Sequence, residues 1–234
     1  MFGLRKKKAP IEAPAEIAGV RVKASQRARR MALRVDAKIG DVVLTWPRGA
    51  SEHGALRFIE SNRDWIEQHR RKIPVAKHFS EGEVIPVYGR DFRIVRRDGR
   101  GVTTLTDDTL VVHSRPEHLE RRIKNFLKET AEEVLSDIAA QKQDQLNLKS
   151  KPLRVIDPRT RWGSCSPDGR MMFSWRLILA PPHVLDYVVA HEVAHRVHMN
   201  HSRKFWALCA SLTDDAGASR RWLKKNGSAL MSYR

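Results

Sequence analysis

The residues His191-Glu192-Val193-Ala194-His195 form an H-E-x-x-H arrangement, which constrains the fold more than any other feature of the chain. Histidines four positions apart lie on one face of an α-helix, so both imidazoles can reach one metal ion at about 2.0–2.1 Å. The pattern fixes only three positions and can arise by chance on a surface helix. Apolar residues before and within it predict burial instead, and buried imidazoles are costly unless they are paired or bind a metal. We therefore predict a buried helix with a metal site, entered at Pro181-Pro182.

The third metal ligand is predicted to be His201. A catalytic zinc site usually has three protein ligands and a water, and His201 has the spacing of H-E-x-x-H-x-x-G-x-x-H enzymes. His198 stands where that pattern has glycine, so the turn must use Met199-Asn200, and Asn tolerates the left-handed conformation. His198 competes as a ligand. On a continued helix, however, it would lie roughly 10 Å from His191 along the axis, too far for joint ligation.

Glu192 lies beside the histidine pair, where a carboxylate can act as general base on a metal-activated water without binding the metal. This predicts a zinc metallopeptidase, a hydrolase with Zn²⁺ as cofactor and polypeptide as substrate. The ligand types favour zinc without excluding cobalt, nickel or manganese. Tyr187 and His198 are the candidates for stabilising the oxyanion.

A β-hairpin is predicted before this helix, from Arg161–Ser166 through the turn Pro167-Asp168-Gly169 to Met171–Ile178. An extended peptide can bind its edge strand through backbone hydrogen bonds. The candidate substrate-binding residues are Trp162, Gly163, Ser174 and Trp175. In the alternative interpretation the hairpin only packs on the helix, and both tryptophans belong to the core.

The net charge of +17, from 44 Lys and Arg against 27 Asp and Glu, favours a polyanionic partner such as nucleic acid. A general basic bias is the alternative. The densest basic cluster, Arg27, Arg29, Arg30 and Arg34, is interpreted as phosphate-binding or as a solvated sheet face. A second hypothesis is thus a basic nucleic-acid-binding protein with a structural, non-catalytic zinc site. Such a site is usually closed by a fourth protein ligand and has no use for Glu192.

The two cysteines, Cys165 and Cys209, form no C-x-x-C motif, so a disulfide framework is not expected and a cytoplasmic location fits. The N-terminus has basic residues but no apolar core typical of a signal peptide. No run of about 18 apolar residues is present, so no membrane span is expected. No feature indicates an oligomeric state.

The predicted organisation is α+β in three parts. Residues 1–16 are expected to be a flexible basic arm, residues 17–114 a β-rich N-terminal region with one helix from Ser51, and residues 115–234 the catalytic domain. The catalytic domain is predicted to contain a long helix over 116–146, the hairpin, the metal-binding helix, a helix after Ser202 and a last helix over 218–225.

Three segments of the chain carry a family resemblance: R-x-R-W-G-S-C-S at Arg159–Ser166, the segment Phe173–Pro181, and Asp186–Trp206 with its H-E-x-x-H and N-H-S sequences. Together they resemble the YgjP-like metallopeptidases, relatives of the SprT-like and minimal gluzincin zinc peptidases. The match is close over residues 150–212 and looser upstream. The resemblance implies a zincin-like core with a backing helix, a small sheet and the H-E-x-x-H helix. It also implies that His191, His195 and His201 are metal ligands and Glu192 the general base.

Overall fold

The computed structural model describes residues 11–36, 40–71, 75–158 and 160–234. Most of the predicted basic arm, residues 1–10, and Arg159 of the family motif lie outside the described residues. The chain divides into two compact units, Met1–Val75 and Ala76–Arg234. The described residues form six α-helices and three small sheets, so the mixed α+β fold is confirmed.

The first unit is a four-stranded sheet with two helices. In spatial order the strands are β1 (Glu16–Ile17), β2 (Val20–Ala24), β4 (Val42–Trp46) and β3 (Ala32–Val35), followed by helices α1 (Glu52–Ser61) and α2 (Arg63–Arg71). The sequence predicted one helix here, but it is interrupted at Asn62. The Asn62 side-chain amide donates to the Phe58 carbonyl at 2.8 Å, and such local side-chain bonds compete with the helical pattern.

The second unit begins with a mixed sheet whose inward residues alternate along each strand, as a half-buried sheet requires. Phe92 and Ile94 point into the core from one central strand, and Leu110 and Val112 from the other. In spatial order the strands are β5 (Val84–Val87), β6 (Arg90–Arg97), β8 (Thr109–His113) and β7 (Thr104–Thr106).

The long helix α3, Leu119–Gln145, spans 27 residues and buries an apolar stripe that repeats about every four positions. The stripe contains Leu119, Ile123, Leu127, Ala131, Leu135 and Ala139. These residues share one core with the inward side chains of β6 and β8. The boundary between compact units therefore lies at 75/76, whereas the sequence analysis separated the regions at 114/115.

The second sheet of this unit contains the predicted hairpin, with strand order β10 (Gly163–Cys165), β11 (Met171–Ser174) and β9 (Leu153–Ile156). Strand β11 is antiparallel to β10 and parallel to β9. The predicted return strand through Ile178 is wrong in its second half. The Ser174 hydroxyl accepts from the Arg176 N–H at 3.4 Å and starts a 3-10 helix, Trp175–Leu179.

Three helices complete the unit: α4 (Pro182–His195), α5 (Arg203–Ser211) and α6 (Ala216–Met231). The prolines start α4 as predicted, and the Ser202 hydroxyl caps α5 by accepting from Phe205 N–H at 3.4 Å. Helix α6 is longer than the predicted 218–225. Over the ranges that the structure covers, no helix has both the length and the apolar content to span a bilayer.

Helix α4 is held against its neighbours by a buried ammonium group. Lys142 of α3 lies 2.6 Å from the Asp186 carboxylate on α4, and its Nζ also donates to the Leu212 carbonyl at the end of α5. Three helices that surround the histidines are therefore linked through one side chain.

Candidate metal centre

The structure brings His191, His195 and His201 together. One ligand atom from each imidazole lies within 4.8 Å of the others, and the Nε2 atoms of His191 and His201 are 3.2 Å apart. Among the described residues this is the one group of three or more His, Cys, Asp or Glu side chains that could hold a metal ion. His201 therefore takes the position that its spacing predicts, and His198 is not part of the group.

The chain turns between the second and third histidines without a left-handed residue. The N–H of His198 donates to the Ala194 carbonyl at 2.9 Å, which extends α4 by a last turn. Asn200 does not have a positive φ, so the expectation of a left-handed asparagine here is wrong. The His198 carbonyl lies 3.1 Å from Nδ1 of His195. Because a carbonyl can only accept, Nδ1 carries the proton and Nε2 keeps its lone pair.

Helix α5 supplies an aromatic wall behind the imidazoles. The ring centroid of Phe205 lies 4.4 Å from that of His195, 4.8 Å from that of His201 and 4.9 Å from that of His191. Trp206 stacks on His201 at 5.4 Å with a 25° angle between the planes. Three flexible side chains are thus held by fixed rings, which reduces the entropy lost when they bind a common ligand.

The pKa values of the helix histidines favour the neutral imidazole that a metal requires. Burial, together with the charges of the neighbouring His195, His201 and Arg220, lowers the pKa of His191 to about 4. Burial also lowers the pKa of His195. Three imidazole nitrogens with an adjacent cavity match the ligand set of a catalytic zinc site, so the residues present fit a divalent metal.

Glu192 is 6% exposed and faces the hairpin strand β10. Burial raises the pKa of Glu192 to about 7, although the charge of Arg161 opposes this. A carboxyl with a pKa near neutrality is suited to accept and return a proton. Gly163 approaches it so closely that an added Cβ would lie 2.7 Å from the Glu192 Cγ and Oε1 atoms. Only glycine leaves room for the carboxylate here.

A cavity of about 320 Å³ opens beside Glu192 and His191. It is lined by Trp162, Gly163, Tyr187, Val188, His191, Glu192, Arg220 and Leu223. A larger cavity, of about 600 Å³, lies in the first unit between α1, α2 and the sheet, but the described residues place no group of three or more metal-ligating side chains there. The smaller cavity is therefore the candidate site of chemistry.

The predicted substrate-binding residues separate into two pairs. Trp162 and Gly163 line the cavity. Ser174 and Trp175 are fully buried, Ser174 as the cap of the 3-10 helix and Trp175 in the core. Neither side chain is open to a substrate in this structure. The predicted strand was to continue through Ile178, but it ends at Ser174. Of the oxyanion candidates, Tyr187 lines the cavity and His198 contributes its carbonyl to His195.

Arg220 was not predicted as a site residue. It lies on α6, within the helix predicted over 218–225, and no motif includes it. Its guanidinium lies over the Trp206 ring at 5.0 Å. A basic residue on a surface helix carries no sequence signal that distinguishes it from other arginines of this basic chain.

Comparison with known proteins agrees with this geometry. A family model described as "YgjP-like, metallopeptidase domain" matches residues 29–226. No curated protein and no solved structure matches the chain significantly. The match covers most of both compact units, including every residue of the histidine cluster and Glu192. The chain therefore belongs to the YgjP-like metallopeptidase domain family.

Proposed function

We propose that this protein is a zinc-dependent endopeptidase that cleaves unfolded polypeptide. The observation that carries the proposal is the position of Glu192, a buried carboxylate that lines an open cavity together with one imidazole of the three-histidine cluster. A purely structural metal site has no need of a cavity or of an acidic residue beside it.

In the proposed mechanism, His191, His195 and His201 hold the metal. When bound, zinc supplies Lewis-acid activation of water and of the scissile carbonyl. Glu192 accepts the proton of the attacking water and returns it to the leaving amine. Its burial supports this role, because a pKa of about 7 lets the same carboxyl act as base and then as acid near neutral pH. Tyr187 is the proposed oxyanion donor, since it lines the same cavity.

Strand β10 is the proposed docking edge for the substrate. It pairs with β11 on one side and is the outer strand of its sheet among the described residues. An extended peptide that adds to this edge hydrogen-bonds through its backbone, which gives little sequence preference and requires unfolded chain. Gly163 on this strand would bring the peptide next to Glu192. Trp162, which precedes the strand and lines the cavity, would contact a substrate side chain.

The zincin-like arrangement is part of the same proposal. Helix α3 acts as the backing helix, the sheet of β9, β10 and β11 as the substrate-binding sheet, and α4 as the metal-binding helix. Contacts of α4 with both α3 and β10 support it. We also propose that residues 17–114 accompany the catalytic part 115–234, and that the protein acts in the cytoplasm.

The test combines metal content with cleavage of casein, an unfolded protein, by the wild type and Glu192→Gln. We expect one equivalent of zinc in both proteins. Cleavage by the variant should be slower by roughly 10²–10⁴-fold, the usual contribution of a general base. Glu133→Gln, the same substitution at an exposed position on α3, is the matched control and should cleave like the wild type.

Two results would contradict the proposal. Absence of zinc from the wild type after zinc is offered would remove the metal site. Zinc in both proteins with no cleavage by either would contradict the peptidase activity, and equal cleavage by both would show that Glu192 is not the general base.

The basic surface supports a second candidate, a nucleic-acid-binding protein with a non-catalytic metal. Arg27, Arg29, Arg30 and Arg34 are all exposed, on the β2–β3 connection and on β3. Exposed arginines contact phosphates and release counterions, so binding should weaken steeply with salt. Salt-dependent binding of a duplex that is unchanged in Glu192→Gln, without casein cleavage by the wild type, would favour this candidate. The two functions can also coexist, with nucleic-acid-associated protein as substrate.

A further inference from the structure

The cavity beside Glu192 contains one exposed cation, Arg220, which the proposed mechanism does not use. No carboxylate lies within ion-pair distance of it among the described residues. A free guanidinium in a substrate cavity can form paired, charge-assisted hydrogen bonds with a carboxylate, which is the ligand that best matches its planar donors.

The cavity wall on α6 explains where such a carboxylate would lie. Arg220, Leu223 and Gly227 are at positions i, i+3 and i+7, so they share one face of α6. Trp162 packs over Gly227, where an added Cβ would lie 3.2 Å from its Cζ2 atom. Arg220 therefore lies roughly 10 Å along the helix axis from the Trp162 end of this wall. The apolar stretch between them suits the aliphatic part of a side chain.

The guanidinium of Arg220 is held in place by the aromatic wall of the metal centre. Trp206 stacks on His201 at 5.4 Å, and Arg220 lies over the same indole at 5.0 Å. The series His201, Trp206, Arg220 thus connects a proposed metal ligand to the cation. An arginine positioned by an aromatic face loses less freedom when it binds its partner.

We propose that Arg220 recognises a carboxylate of the bound polypeptide next to the scissile bond. This inference rests on the proposed peptidase function, because it assumes that polypeptide occupies the cavity. The carboxylate belongs to an acidic side chain of the substrate, as an endopeptidase requires, or to the end of the peptide chain, in which case the protein cleaves as a carboxypeptidase. Arg161 also acts on Glu192 through its charge, but Arg220 is the cation among the described residues that line the cavity.

The test measures binding without turnover, by fluorescence anisotropy of labelled peptides on the zinc-loaded Glu192→Gln protein. Three alanine-rich peptides of equal length are compared: one with a central Glu and blocked ends, one with Gln in its place, and one with Ala there and a free C-terminal carboxylate. We expect one carboxylate peptide to bind roughly tenfold more tightly than the Gln peptide, the effect of one charge-assisted contact. The carboxylate peptide that binds more tightly, the one with the central Glu or the one with the free C-terminus, identifies the source of the carboxylate.

Two further variants in this background separate Arg220 from the general positive charge of the chain. Arg220→Gln should abolish the preference. Arg221→Gln removes the same charge from the adjacent exposed position of α6 and should retain the preference for the carboxylate peptide. No preference for either carboxylate, or equal preferences in the two variants, would overturn the inference.

Casein cleavage by the wild type is measured alongside, so that the two proposals can fail separately. A carboxylate preference that depends on Arg220, without cleavage, would overturn the endopeptidase proposal and support Arg220 as the carboxylate site. Cleavage by the wild type without any carboxylate preference in the binding assay would overturn the role of Arg220 alone.

Discussion

The Nδ1 atom of His195 lies 3.1 Å from the backbone carbonyl oxygen of His198. This contact orients the imidazole through a main-chain atom, so the His198 side chain is not needed for it. We predict that His198→Ala binds zinc within about tenfold of the wild type. His201→Ala should weaken zinc binding by more than roughly a hundredfold, the upper figure for residues that only support a ligand. Competition titrations with a zinc chelator measure both affinities. Similar losses of zinc affinity in the two variants would show that the His198 side chain is a metal ligand.

Zinc should stabilise the protein through the same cluster. A ligand present at a hundred times its Kd adds about 2.7 kcal/mol to the free energy of unfolding, or roughly 5–10 °C in Tm for a chain of this size. We expect this increase on adding zinc to the chelator-treated wild type and to Glu192→Gln. His201→Ala should show little of it. Thermal unfolding checks the prediction, which fails if His201→Ala is stabilised as much as the wild type.

Gly163 leaves the space that the Glu192 carboxylate occupies. In Gly163→Ala the new methyl would lie 2.7 Å from Oε1 of Glu192, so the carboxylate must move. We predict a loss of casein cleavage of at least about tenfold, since small displacements of a catalytic group are costly, with zinc content unchanged. Ser164→Ala, at the next position of the same strand, is the control and should keep its activity. Normal cleavage by Gly163→Ala would show that the carboxylate relocates without consequence.

The ion pair between Asp157 and Arg176 should make stability depend on acid pH. Burial raises the pKa of Asp157, but hydrogen bonds and charges from Arg176 and Lys124 outweigh it and lower the pKa to about 2. A depressed pKa stabilises the fold above the unfolded value of 3.8. This contribution is lost as the pH falls from about 4 to 2.

The free energy of unfolding of Asp157→Asn should therefore fall less than that of the wild type over this pH range. At neutral pH the substitution should lower the free energy of unfolding by about 1–3 kcal/mol, because the buried Arg176 guanidinium loses its carboxylate while Asp157 is itself partly exposed. Chemical denaturation at pH 7 and pH 3 measures both effects. Asp214→Asn, which changes an exposed carboxylate between α5 and α6, serves as control. Equal pH profiles for wild type and Asp157→Asn would refute the assignment.

The metal cluster was predictable because its determinants are local. Helical spacing places His191 and His195 on one face, and the short segment to His201 limits where the third imidazole can lie. The burial of α4 was also predictable from local sequence, because its apolar residues lie within one short segment. Asn200 shows the limit of such reasoning, since hydrogen bonds from the residues after His195 to α4 carbonyls form the turn without a left-handed residue.

Other features depend on contacts between distant segments and were missed. Residues 175–178 were predicted to continue the strand, but after Ser174 the chain turns into a 3-10 helix that packs on α3. Arg220 joins the cavity only because α6 packs beside α4 and α5, and no local pattern reports that packing. The division into compact units at 75/76 also depends on such contacts, because β-strands 84–113 fill the same core as the later helices.

The buried guanidinium of Arg176 donates to the backbone carbonyl of Tyr233, a residue 57 positions later, at 2.8 Å from Nε and 2.6 Å from Nη2. A ribosome makes the chain from its N-terminus, so Arg176 emerges well before this acceptor exists. All three histidines and Glu192 are also synthesised earlier than Tyr233. During translation the nascent polypeptide therefore contains the three histidines and Glu192 before Arg176 can form its hydrogen bonds to Tyr233. Maturation of the candidate site should therefore follow formation of the contact between Arg176 and Tyr233 rather than synthesis of the segment that carries the histidines.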